Sequence, residues 1–315
     1  MIPGYAIVRE VGRGGMGVVY EAVEEALGRT VALKVVAPER VREEGFRERF
    51  VAESRMAASL DHPNVLPVFG AGETEDGMLW LSMRLVTGAD LRSLAPLPAA
   101  RAATIVAQVG AALDAAHERR LVHRDVKPAN VLVTASDHAY LTDFGLVKAL
   151  DHGSDLTRTG EVVGTLDYIA PERIRGAGDG PAADLYSLGC LLYVALTGRP
   201  VFDVEGTEPK LWAHLSEPPP AVPGFEAVLA RALAKEPAER FESGAALGAA
   251  AIAAATSSDV TAVPAPVLDA DSPQRIEARL RAARTDDQPG KPQRIAALAA
   301  QLAHARRRQG GKSTT

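Results

Sequence analysis

Between two apolar, β-branched runs, the stretch LVHRDVKPANVLV at 121–133 sets Asp125, Lys127 and Asn130 at fixed offsets. A bare turn would use Gly, Asn or Asp there, not a carboxylate, an ammonium and an amide in that order. Asp125 can take the proton of an attacking hydroxyl, and Lys127 can reach a transferring phosphoryl group. Asn130 offers a neutral oxygen to a hard cation. Thirteen residues on, LTDFG adds Asp143 as a charged oxygen ligand, and Gly145 permits a sharp turn. Phosphoryl transfer needs mainly positioning and charge neutralisation, and these types supply both.

Upstream, VGRGGMGVVY carries Gly12, Gly14 and Gly17 in the spacing G-x-G-x-x-G. In a dinucleotide-binding fold that pattern follows a strand and opens a helix. Here the strand-like VVYEAV follows, so the glycines fall at a hairpin tip, where backbone N–H groups can approach an anion closely. In TVALKVV, alternation puts Ala32 and Lys34 on one face. An ammonium on an apolar strand needs a partner or an anionic ligand. Glu53, nineteen residues on, is the candidate partner.

These groups need a frame. Short β-branched runs (YAIVREV, VVYEAV, TVALKVVA, NVLPVFGAGE, GMLWLSMRLV) predict an antiparallel sheet over roughly the first ninety residues. One helix interrupts it, with Phe46, Phe50, Met56 and Leu60 as its apolar set. Past residues 86–90 the pattern turns helical, with Ile105, Val109, Ala112, Leu113 and Ala116 on one face. The short strands VLV and YLT follow the catalytic-type loop, and helices run on to about residue 255. The apolar segment at 185–196 is too short to span a bilayer and reads as a buried core helix. The N-terminus has neither the basic start nor the apolar run of a signal peptide, so a cytoplasmic location is expected. A lone Cys190 excludes an internal disulfide.

Taken together, the motifs resemble a eukaryotic-like (Hanks-type) serine/threonine protein kinase of the bacterial kind, over about residues 5–255. The glycine loop Gly12–Val19, VALK with Lys34, Glu53, HRDVKPAN, DFG at 143–145 and APE at 170–172 carry the resemblance. DLYSLG from Asp184 resembles the opening of the large central helix, and Arg240 the arginine that pairs with Glu172 of APE. The resemblance implies an α+β bilobal fold: a small antiparallel sheet with helix C (1–86) and a larger, mainly helical lobe (87–255). A Ser/Pro/Ala-rich linker (256–274) and a basic tail with helical spacing (275–315) would follow.

It also implies roles. Gly12, Arg13, Gly14, Gly15, Met16 and Gly17 would cover the ATP phosphates, and Lys34, held by Glu53, would grip two of them. Val11, Val19, Ala32, Met83, Leu85 and Leu132 would enclose adenine. Asn130 and Asp143 would hold magnesium, with manganese as an alternative, and Asp125 would be the base beside Lys127. Thr165 would help seat the acceptor, and Thr157 and Thr159 would be regulatory phosphosites taken up by Arg124. Arg84 departs from the pattern, standing where the family often has glutamate.

The activity implied is that of an ATP- and magnesium-dependent, non-specific serine/threonine protein kinase acting on protein hydroxyls. Autophosphorylation through self-association would accompany it. A pseudokinase, a nucleotide-binding scaffold without turnover, is the rival. Net charge is +7 over residues 275–315 and −12 over the rest, so the tail reads either as a solvated segment or as one that docks on the acidic body or an anionic partner. Beyond that tail, nothing points to nucleic acid.

Overall fold

The computed structural model describes residues 2–15, 17–42, 45–144 and 166–257. Met16, Gly145, Thr157, Thr159, Thr165, most of the expected linker and the basic tail lie outside the described residues.

Five strands, β1 (Tyr5–Gly14), β2 (Gly17–Glu24), β3 (Arg29–Val36), β4 (Val68–Glu73) and β5 (Leu79–Arg84), form an antiparallel sheet in the order β1-β2-β3-β5-β4. Helices α1 (Pro38–Val41) and α2 (Phe46–Ser59) sit between β3 and β4 in the chain, so β3 pairs with β5 and leaves β4 at the edge. The buried face of α2 is Phe50, Ser54 and Ala57, at i, i+4 and i+7. Met56, expected on that face, lies one residue off the stripe and is 41% exposed.

A second sheet, β6 (Gly88–Asp90), β7 (Val131–Thr134) and β8 (Ala139–Leu141), lies under the first and bears the catalytic-type loop. Around it are α3 (Leu91–Leu94), α4 (Ala99–Glu118), α5 (Pro171–Ile174), α6 (Pro181–Thr197), α7 (Thr207–Ser216), α8 (Glu226–Ala232) and α9 (Gly244–Ser257). The α4 stripe is fully buried, and every residue of α6 from Ala183 to Thr197 is buried, Cys190 included. That all-round burial is why α6 lacks a polar face. No described helix is long and apolar enough to cross a membrane.

The two sheets meet through side chains and backbone. Leu132 and Tyr140 of the lower sheet pack against the apolar cluster containing Ala32, Leu66, Leu81 and Met83. Leu141 N–H donates to Asn64 O (2.8 Å), and Leu66 N–H donates to Leu141 O (3.0 Å). The Asn64 amide nitrogen donates to Ala139 O and to Gln108 Oε1, both at 2.9 Å. The connection between α2 and β4 is thus bonded to the lower lobe.

Candidate active site

The loop before β7 is held by a carboxylate from another element. Asp184, one turn into α6 and 1% exposed, accepts the N–H of His123 (2.7 Å) and of Arg124 (2.8 Å). His117 Nε2 adds a third contact at 2.8 Å. The Asp125 N–H donates to His123 Nδ1 (3.2 Å), so His123 carries its proton on Nε2 and donates it to Thr142 O (2.9 Å). His123 also packs against Phe144, ring centroids 4.6 Å apart. One imidazole therefore ties the loop to the segment bearing Asp143.

On that frame the Asp125 carboxylate, 4% exposed, accepts from Lys127 Nζ (2.7 Å) and Asn130 Nδ2 (3.1 Å). The same Asn130 nitrogen donates to Asp125 O at 2.8 Å. Both contacts fix the carboxylate's orientation, and the Asn130 oxygen keeps its acceptor capacity.

Lys34 Nζ donates to Asp143 Oδ1 at 2.7 Å, joining β3 to the DFG segment. Burial pushes the Asp143 carboxyl up, but the Lys34 ammonium outweighs it and leaves the group below its ordinary range. The expected grip of Glu53 on Lys34 is corrected here: the lysine's partner is Asp143. Among the described residues Glu53 has no ion-pair partner, and burial pushes its carboxyl up to about 7 against the pull of Arg124 and Arg49. A buried ammonium takes the carboxylate within reach, and α2 packs with Glu53 out of range.

The glycines separate into two kinds. A Cβ on Gly17 would lie 1.9 Å from Val35 O, and its φ is +138°, so the sheet itself demands glycine there. A Cβ on Gly12 or Gly14 would meet nothing within 4 Å. Their bareness has no steric cause inside the protein and fits close approach by a ligand.

A family model described as "Protein kinase domain" matches residues 5–279. The chain belongs to that family. It is 43% identical over 268 residues to serine/threonine-protein kinase PknD of Mycobacterium tuberculosis, covering 81% of this chain and 40% of the relative. To serine/threonine-protein kinase PknE of the same species it is 43% identical over 267 residues, covering 81% and 47%. The chain thus spans less than half the length of these curated relatives. The crystal structure of the M. tuberculosis PknI kinase domain matches with a TM-score of 0.66 and 35% identity, covering 81% of this chain and 96% of that one.

Within this protein kinase domain, Val19, Ala32, Met83, Leu85 and Leu132 pack in one cluster beneath the glycine hairpin. Val11 does not join it. It is the extra residue of a bulge between Glu10 and Gly12 and is 46% exposed. Arg13 pairs with Glu10 at 2.6 Å, both side chains exposed. Arg84, the departure from the family pattern, donates from Nη1 to Tyr140 Oη (2.9 Å), so its side chain turns toward β8. Arg240 grips Glu172 with two hydrogen bonds of 2.7 Å, clamping the APE segment to the lower lobe.

A carboxylate (Asp143) and an amide oxygen (Asn130) are hard donors of the kind magnesium takes. Among the described residues no group of three acidic, His or Cys side chains could hold a metal alone. The donor set fits an ion that completes its shell with phosphate and water. The residues that sequence reasoning missed are Asp184 and His123 as organisers of the loop. In the sequence, Asp184 marks only the opening of a helix.

Proposed function

We propose that the chain transfers the γ-phosphoryl group of ATP to Ser or Thr hydroxyls of proteins. The carrying observation is the Asp125 carboxylate held by Lys127 and Asn130 on a loop braced by Asp184, beside the Lys34–Asp143 pair. Asp125 orients the acceptor hydroxyl and takes its proton. Lys127 offsets charge at the transferring group, as Lys34 does further along the phosphates. Asn130 and Asp143 would hold magnesium, which when bound neutralises phosphate oxygens. Gly12 and Gly14 let the hairpin backbone close over them, and the cluster around Ala32 and Leu132 receives adenine. Thr165 would seat the acceptor, and Thr157 and Thr159 would be modified through self-association, in the cytoplasm.

The test is magnesium-dependent incorporation of radiolabelled phosphate into the chain and an acceptor protein, comparing wild type with Asp125→Asn. Phosphoserine and phosphothreonine should form with wild type and fall by about a hundredfold or more in the variant. Binding of ATP by wild type with no incorporation would overturn the proposal in favour of a scaffold.

A further inference from the structure

Arg124 stands one residue before Asp125, with its backbone at φ +68°. A non-glycine residue there is held at an expense of about 1 kcal/mol or more, so its surroundings must fix it. Two of the fixing contacts are to backbone: Arg124 N–H donates to Asp184 Oδ1 (2.8 Å), and Arg173 Nη1 donates to Arg124 O (2.6 Å). A third group closes the set. Asp179, in the glycine-rich GAGDG turn between α5 and α6, lies 2.9 Å from Arg173 Nε and 3.1 Å from Arg124 Nε. Arg124, Asp179 and Arg173 thus form a closed ring in which one carboxylate lies at ion-pair distance from two guanidinium groups, the Arg124 contact being one of charge and not a hydrogen bond.

The ring bears on the catalytic aspartate through a single peptide plane. The carbonyl of Arg124 and the N–H of Asp125 belong to the same rigid unit. Arg173 holds the carbonyl edge, and His123 Nδ1 holds the N–H edge. Without the Asp179 carboxylate, two like charges would face each other across the ring, and Arg173 would swing away from Arg124 O. The plane would then turn, carrying Asp125 with it.

We propose that Asp179 is a positioning residue for phosphoryl transfer, supplying the anion that holds Arg124 and Arg173 and so the Arg124–Asp125 peptide. This rests on the kinase reading above.

The test uses the full chain, treated with phosphatase so that Asp179 is the anion measured. Asp179→Asn should lower kcat about tenfold and leave KM for ATP within about twofold, since a misplaced base harms the chemical step. Asp179→Glu, which keeps the charge, should recover most of that loss. Combined with Arg173→Gln, Asp179→Asn should add little, because both break one ring. If Asp179→Asn melts below the assay temperature, Arg173→Gln alone should show the same kcat loss at constant KM. A kcat within about twofold of wild type, a KM for ATP rising as kcat falls, or multiplying effects in the double variant would overturn the proposal.

A second readout is independent of turnover. The guanidinium nitrogen-15 shifts of Arg124 and Arg173 should move together in Asp179→Asn relative to wild type. Unchanged signals would overturn the ring. A wild type that transfers no phosphate would instead refute the kinase reading, and NMR would still judge the ring.

Discussion

Lys34 is 7% exposed and, among the described residues, pairs with the Asp143 carboxylate. Lys34→Ala removes the ammonium facing the phosphates and leaves the half-buried Asp143 without that counter-charge. Transition-state stabilisation should fall by about 3 kcal/mol, a hundredfold or more in turnover, read by steady-state kinetics. Glu53 makes a different forecast. Its carboxyl titrates at about 7 when folded against an ordinary 4.5, so between those values the folded chain keeps a proton that the unfolded chain has lost. Its contribution to stability therefore falls as pH rises from 4.5 to 7, with Arg49 and Arg124 as the charges moderating it. Urea midpoints at pH 5 and pH 8 should shift less in Glu53→Gln than in wild type. The polar residues of the loop were legible because a carboxylate, an ammonium and an amide stand out between apolar runs. The Lys34–Asp143 pairing was not, since the choice between two carboxylates depends on where α2 packs.

At the level of elements, the glycine hairpin and the brace from α6 set the site's precision. Gly17→Ala forces a Cβ into Val35 O at a left-handed φ and should lower stability by about 1–3 kcal/mol. Gly12→Ala and Gly14→Ala have room, so their melting curves should stay near wild type while KM for ATP rises. Asp184→Asn leaves one oxygen for two backbone N–H groups and sets an amide N–H against the other. A loss of about 2 kcal/mol is expected, with a fall in kcat, read by thermal melts and kinetics. The hairpin was visible in the spacing of its glycines. The brace was hidden, because its partners are main-chain N–H groups some sixty positions away and identical in every residue.

For the whole molecule, the expected change of character near residues 86–90 falls where β5 ends at Arg84 and β6 begins at Gly88. The antiparallel strands were legible from alternation, but the placing of β5 between β3 and β4 follows from the long crossing through α2. Charge acts at this scale. The +7 segment at 275–315 and the −12 remainder should attract, and the attraction should weaken as salt shortens a Debye length of about 10 Å at 0.1 M. A chain ending near Ser272 should differ from the full chain in KM for ATP at low salt and match it at high salt, and identical kinetics at low salt would leave the tail a solvated segment. The backbone bonds between Leu141 and the Asn64–Leu66 segment carry a mechanical meaning as well. With the covalent crossing after Arg84, they tie the upper sheet to the lower lobe through main chain, where Lys34–Asp143 and Arg84–Tyr140 tie it through side chains. A substitution can remove a side-chain tie; it cannot remove the main-chain ones, so this seam between the lobes is written into the backbone itself.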